Sequence, residues 1–313
     1  MIFNANNKDY DIIEGLRDTV KPGWKEMLNP AKPRIISIDP LKYLPMITKS
    51  EKALEDIGET LVGKNILEIG CGFGDRCFLM AKYEGTKVHG IDVDEYTVNQ
   101  SPDINVWNPE DVEYIHNKID SVRKQVSEKF PESVRNKVTF STESIEQFIA
   151  VNPYDVIISF DVLEHLLDLD SAFRQMANSL KSGGILSHEY NSFFSFDGGH
   201  SLCTLDFHYG HCILSKEDFE RYIKEIRPQE EKIAINFYNK CLNRATRKDI
   251  RELAEKYGLK IISEIKTSSY TAPEVAIRKE LEKDILPNVV KLYPKVEVED
   301  LLYNSIHLIM RKL

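Results

Sequence analysis

The chain has 313 residues, 42% hydrophobic and 29% charged, with a net charge of -9 at pH 7. This is the balance of a folded globular protein with room for a large core. An acidic chain of this kind is a poor partner for a nucleic-acid backbone, which draws on clustered Lys and Arg. No stretch approaches the ~20 apolar residues of a membrane helix. The N-terminus lacks the basic start and apolar run of a signal peptide, so a cytoplasmic location is expected.

Five cysteines, an odd number with no Cys-x-x-Cys pair, speak against both a disulfide framework and a thiolate zinc site. Residues 1–48 carry Tyr10, Trp24 and Tyr43 without clear periodicity and read as an N-terminal cap, with Tyr10 and Trp24 as candidate lid residues. A short helix is expected over Lys49–Ile57. Asn65–Ile69 is an apolar run between glycines, the mark of a buried parallel strand. Asp75–Tyr83 follows at helical spacing, then strand Lys87–Ile91, the amphipathic helix Pro109–Phe130, and strands Lys137–Phe140 and Asp155–Phe160. Helix Leu169–Leu180 runs into Lys181-Ser182-Gly183-Gly184, a helix-stop signal, before strand Gly184–Tyr190. The alternation predicts a mostly parallel sheet with helices on both faces.

The rhythm breaks at 191–246, an insert rich in aromatics and His with one clear helix near Lys216–Ile226. It resumes over 247–313 with helix Arg247–Tyr257, a Gly258 stop, strand Lys260–Ile265, a helical stretch near Pro273–Leu286, and a last strand Ser305–Arg311. Four segments follow: a cap 1–48, a nucleotide-binding core 49–190, an acceptor-binding insert 191–246, and a completion of the core sheet 247–313.

Glu68-Ile69-Gly70-Cys71-Gly72-Phe73-Gly74 joins the first strand to the first helix. Glycines here permit positive φ and let a ligand touch the backbone. Such a turn holds an adenosine-bearing ligand at the carboxyl edge of the sheet. A dinucleotide fingerprint needs glycine at 75, where Asp75 stands, and an acid at the helix start repels a pyrophosphate. No Gly-Lys-Ser/Thr follows, which removes a P-loop. Asp92 ends the second strand, placed to accept hydrogen bonds from two ribose hydroxyls. A polar segment, Ser141–Gln147, follows the third strand, and Ser159-Phe160-Asp161-Val162-Leu163-Glu164-His165 leaves the fourth toward the same edge.

These four elements, in this order, resemble the class I S-adenosylmethionine (SAM)-dependent methyltransferases. The run Asp161–His165 most resembles the branch that includes ubiquinone-biosynthesis O-methyltransferases and many small-molecule or sugar methyltransferases. The resemblance covers Lys49–Leu186 and, by strand pattern, the last strands. It implies a Rossmann-like, seven-stranded sheet, SAM as cofactor and S-adenosylhomocysteine as product. Carried over, Glu68, Gly70, Cys71, Gly72 and Gly74 contact the methionine moiety, and Asp92 holds the ribose with Val93 against the adenine. Ser144 and Ile145 flank the adenine, and Asp161 and Val162 line the pocket. Thr142-Glu143-Ser144 stands where the family often has Asp near the adenine amino group, so Glu143 is the substitute.

For the acceptor, four of the eight histidines, His188, His200, His208 and His211, follow the fifth strand within 24 residues, beside Glu189, Asp197 and Asp206. A general base among His200, His208, His211 and the earlier His165 is the preferred reading. A His-His-carboxylate metal site is the second, though the spacings match no metal signature and none is assigned. A self-bonded polar loop is the third. Gly198-Gly199 and Gly210 set these histidines beside backbone expected to be flexible. Arg244 and Arg247 are candidates for a substrate phosphate or carboxylate. The expected partner is therefore a small polar molecule such as a sugar, a glycan-related metabolite or a phosphorylated compound, not a nucleic acid or membrane. Alternatives are an NAD-linked oxidoreductase and a non-catalytic SAM-binding module. Oligomeric state is not legible.

Overall fold

The computed structural model describes residues 1–6, 8–20, 22, 38–93, 109–270 and 273–313, with backbone alone for 109–116. Trp24 lies outside them. Nine strands are described: β1 Ile2–Ala5, β2 Lys8–Asp11, β3 Asn65–Ile69, β4 Lys87–Asp92, β5 Val138–Thr142, β6 Tyr154–Phe160, β7 Leu180–Asn191, β8 Leu259–Thr267 and β9 Ser305–Lys312. The main helices are α1 Leu44–Glu55, α2 Asp75–Met80, α3 Pro109–Ser127, α4 Leu169–Ser179, α5 Lys216–Ile226, α6 Glu231–Lys240 and α7 Arg247–Lys256.

Seven strands form one sheet in the order β5-β4-β3-β6-β7-β9-β8. All neighbours are parallel except those of β9, which runs antiparallel between β7 and β8. After β3 the chain builds outward through β4 and β5, then returns to the other side of β3 with β6. Strand order thus reverses at β3/β6, where the carboxyl ends open a crevice suited to a nucleotide. The sheet is the Rossmann-like arrangement expected of the class I methyltransferases.

Helices cover both faces because the strands are apolar on both. α1, α2 and α3 pack Leu54, Phe78 and Val126 against Ile66, Val88 and Ile158. α4 and α7 pack Phe173, Met176 and Ile250 against Leu67, Ile157 and Leu308 on the opposite face. Polar side chains start these helices at the expected ends. Asp168 accepts from the Ser171 N–H, Ser215 from the Asp218 N–H, and Thr246 and Asp249 form a capping box.

Three differences from the sequence reading have clear causes. Residues 180–184 enter β7 rather than ending a helix, and Gly184 lies where a Cβ would stand 2.9 Å from the Lys181 carbonyl oxygen. The N-terminal segment is an antiparallel hairpin, β1–β2, hidden by short, polar strands. The insert holds a second long helix, α6, and shares one apolar core with the hairpin (Phe3, Tyr10) and with Leu281, Val289, Leu301 and Leu302. The stretch before β9 therefore completes the insert's core rather than the sheet's. No helix among the described residues is long and apolar enough to cross a membrane.

Candidate active site

The glycine turn leaves β3 at the strand-order reversal. Gly70, Gly72 and Gly74 all have positive φ, at 70°, 53° and 82°. A Cβ at Gly70 would stand 2.2 Å from Val162 Cγ2, and one at Gly74 would stand 2.4 Å from the Phe140 ring. Gly72 faces open space, so no side chain there stands in the way of an approaching ligand. Asp92, at the end of β4, is bound to this turn. Its Oδ2 accepts from the Gly72 N–H at 2.5 Å, and its Oδ1 accepts from the Val93 N–H at 2.7 Å. A charged carboxylate at this edge is the acceptor chemistry that a pair of ribose hydroxyls calls for.

The β5 end joins the same edge, since the Glu143 N–H donates to the Asp92 carbonyl at 3.0 Å. Ile145 is buried beside it, and the Ser144 hydroxyl donates to Glu146 at 2.7 Å. Asp161 has a left-handed backbone (φ 56°) just past β6, which carries Val162 under Gly70. Gly70, Gly72, Gly74, Asp92, Val93, Ser144, Ile145, Asp161 and Val162 therefore meet along the carboxyl ends of β3, β4, β5 and β6.

Glu68 is placed differently. Its carboxyl is 0% exposed, accepting from Arg76 Nε at 2.5 Å and from the Cys77 thiol at 2.8 Å. Burial raises its pKa against the pull of Arg76. Arg76 in turn donates to the Gly70 carbonyl at 2.8 Å. Glu68 thus braces the turn from beneath, and Cys71 is likewise buried. Two residues missed in the sequence share this work: Arg76, and Arg123 on α3, which donates to the Gly72 carbonyl at 3.0 Å and stacks on Phe140. Only the spatial return of α3 over the turn could have revealed Arg123.

The histidines scatter. His211 is fully buried with Nε2 on the Phe193 and Ser195 carbonyls at 2.9 and 3.1 Å, and burial lowers its pKa to about 4. His208 is exposed. His188 sits in the sheet with Nδ1 at 2.6 Å from the Ser159 hydroxyl. Asp206 accepts from Tyr222 at 2.7 Å, and Asp197 from Ser195 at 3.0 Å. Neither His208 nor His211 joins the site, because one turns to solvent and the other is spent on backbone carbonyls.

His165 and His200 do meet, with ring centroids 5.1 Å apart and Phe237 against both. Each offers a nitrogen that lies, with a Glu164 carboxylate oxygen, within 4.8 Å of the other two. This set has the chemistry to hold a cation or pass a proton. It unites two segments whose separation in the chain carries no signature. His165 Nδ1 faces the Cys241 carbonyl at 2.5 Å and so carries the ring proton, leaving Nε2 as the basic nitrogen. Burial lowers the His165 pKa to about 4. Burial, and then the charge of Asp161, push Glu164 up to about 8. Its Oε1 accepts from the Asn191 N–H and amide at 3.1 Å each, and Asn191 also donates to Asp161 at 3.0 Å. Its Oε2 is buried without a partner among the described residues.

The methyltransferase-domain family model matches residues 46–264, well over half of the sequence. The chain belongs to this family. Ubiquinone biosynthesis O-methyltransferase of Vibrio vulnificus is 27% identical over 182 residues, 58% of this chain and 62% of its own length. This methyltransferase therefore spans less than two thirds of the curated relatives it matches first. Methyltransferase GfsG of Streptomyces halstedii is 24% identical over 48% of this chain and 46% of its own. A solved SAM-dependent methyltransferase from Mesorhizobium loti aligns over 84% of this chain and 98% of its own, at 11% identity and a TM-score of 0.47.

SAM is the cofactor of the class, and the turn fits it on two grounds: a left-handed glycine path from Gly70 to Gly74 with no side chain in the way at Gly72, and the Asp92 carboxylate at the same edge. The remaining candidates are structural in this methyltransferase. Arg244 donates to the Leu242 and Tyr238 carbonyls and stacks on the Tyr238 ring. Arg247 forms a two-pronged ion pair with Glu264 at 2.8 Å. Tyr10 stacks on Phe207 inside the core.

Proposed function

We propose that this methyltransferase transfers the SAM methyl group to an oxygen of a small, hydroxyl-bearing acceptor such as a sugar, seated against Asp161, Glu164, Asn191, His165 and His200. The observation that carries the reading is the grouping of Glu164, His165 and His200 beside Asp161 at the carboxyl edge. Bound SAM supplies a methyl group on a positively charged sulfur. The protein's part is to hold the acceptor oxygen in line with it and to take the hydroxyl proton.

Glu164 suits the second task, because a base works best with a pKa near the working pH, and its carboxyl is pushed up to about 8. His165, which burial keeps neutral, and His200 beside it are the groups with which it exchanges protons. Asn191 orients the carboxyl by holding Oε1, which leaves Oε2 for the incoming hydroxyl. The first curated relatives carry O-methyltransferase names, which supports oxygen as the accepting atom. A phosphorylated acceptor has less support, since Arg244 and Arg247 are bound internally.

The test is calorimetric titration with SAM and with NAD, then methyl-labelled SAM offered with monosaccharides, sugar phosphates and catechols. SAM binding and label on an oxygen are expected. Glu164→Gln and His200→Gln should each lower transfer about 10²-fold at unchanged SAM affinity. NAD binding without SAM binding, or label only on nitrogen or carbon, refutes the reading.

A further inference from the structure

His200 opens a single helical turn, His200–Cys203, and does so with φ 54°, in the left-handed region. For a residue with a Cβ this conformation costs about 1–2 kcal/mol and persists only where the surroundings fix it. Thr204 closes the turn on the His200 carbonyl through its N–H, and the carbonyls that follow lie beyond the end of so short a turn. Two buried arginines take them. Arg227 donates to the Leu202 carbonyl at 2.9 Å and the Thr204 carbonyl at 3.1 Å. Arg17, from the short helical segment Leu16–Val20 after the N-terminal hairpin, donates to the Ser201 carbonyl at 2.6 Å.

Glu230 binds the two together. It accepts both prongs of Arg17 at 3.0 and 3.1 Å and lies 3.7 Å from Arg227. Arg17, Glu230 and Arg227 are 2%, 1% and 3% exposed. A charge trio this deeply buried is costly to desolvate and adds little to stability compared with apolar packing, so its geometry is its main effect. That geometry fixes the carbonyl side of the turn whose first residue is His200. On the other side, Gly198 and Gly199 press against backbone: a Cβ at either would stand 2.2 Å from the Phe193 oxygen or 2.5 Å from the Thr204 nitrogen. The glycines are there for close approach, not flexibility.

We propose that Arg17 is a positioning residue for the acceptor site: it holds His200 against His165 and so couples the N-terminal hairpin to the proton-handling group. The inference rests on the reading of His200 as part of that group. Arg17 itself takes no part in the chemistry.

The test uses full-length protein labelled with ¹³C at histidine Cε1, as Arg17→Met and as Arg17→Gln; Glu230 keeps Arg227 as its ion-pair partner in both, so neither variant strands a buried carboxylate. The His200 and His165 resonances should shift or broaden in both. His89 and His307, in the sheet, should stay in place and report an intact fold. SAM affinity by calorimetry should change less than twofold. An unmoved His200 resonance in a folded variant overturns the inference. So does loss of the fold in both variants, which would make Arg17 a stability residue. Normal turnover in His200→Gln would remove the proton-handling reading and leave the resonance result standing, so the two failures are separable.

Discussion

Replacing Asp92 with Asn keeps the shape of the side chain and removes half of its accepting capacity. In the native chain two backbone donors point at two carboxylate oxygens, Gly72 N–H at 2.5 Å and Val93 N–H at 2.7 Å. An amide has one oxygen, so one of these N–H groups must face an NH₂ or turn away. A hydrogen bond to a charged group contributes about 1.5–3 kcal/mol, and the ribose hydroxyls lose a charged acceptor at the same time. Since each 1.4 kcal/mol is tenfold in affinity, SAM should bind Asp92→Asn about 10- to 100-fold more weakly. Asp92→Ala should cost SAM binding about 1–3 kcal/mol by the same route. Calorimetric titration measures both, with a melting curve to show what part of the loss is folding. SAM affinity within about threefold of the native value would refute the assignment of Asp92 to the ribose.

His208 and His211 should separate cleanly from His200. His208→Ala, at an exposed position, should leave turnover and melting temperature unchanged. His211→Ala removes a donor shared by the Phe193 and Ser195 carbonyls and empties a fully buried position, and should destabilise by about 1–3 kcal/mol in urea titration, with turnover per folded molecule preserved. A catalytic loss in His208→Ala as large as that in His200→Gln would contradict this division. Stability should peak near pH 6.5. His165 and His211 (about 4) and His188 (about 3) all titrate below their ordinary 6.5, so the unfolded chain binds more protons and stability is lost as pH falls from 6.5 toward 4. Glu164 acts oppositely: its raised pKa keeps a proton on the folded chain, so stability declines from 4.5 up to about 8, by at most about 1.4 kcal/mol per pH unit. Above 6.5 that decline should be visible in denaturation midpoints and smaller in Glu164→Gln. An equal decline in the variant would show that Glu164 is not its source.

Much of the sheet was legible because strands buried on both faces are short, continuous apolar runs, and Asn65–Ile69 and Ser305–Arg311 are of that kind. The glycine turn was legible for a related reason, as backbone with positive φ leaves few residue choices. The acceptor side was not. His188, His200, His208 and His211 are neighbours in sequence, yet one lies in a strand, one in the core, one in solvent and one in the site. What gathers Glu164, His165 and His200 is the packing of the insert over β6, a contact between segments that no local pattern encodes. Arg17 was hidden more deeply, in a segment without periodicity, because its partners lie on the far side of the chain.

The place of β9 has a consequence for how the chain comes to be folded. It pairs with β7 on one side and β8 on the other, with Ile185 opposite Arg311 and Leu259 opposite Lys312. Strands β3 to β7 can associate as they leave the ribosome, but β8 has no neighbour to join until residues 305–312 have emerged. Until then the edge of β7 presents unpaired N–H and C=O groups, the kind of edge that invites pairing with another chain. Closing a sheet across the whole insert is also slow, because long loops must be brought together first. The nascent protein therefore carries this open edge from the emergence of residue 191 until that of residues 305–312, and the eight residues of β9 are what cover it.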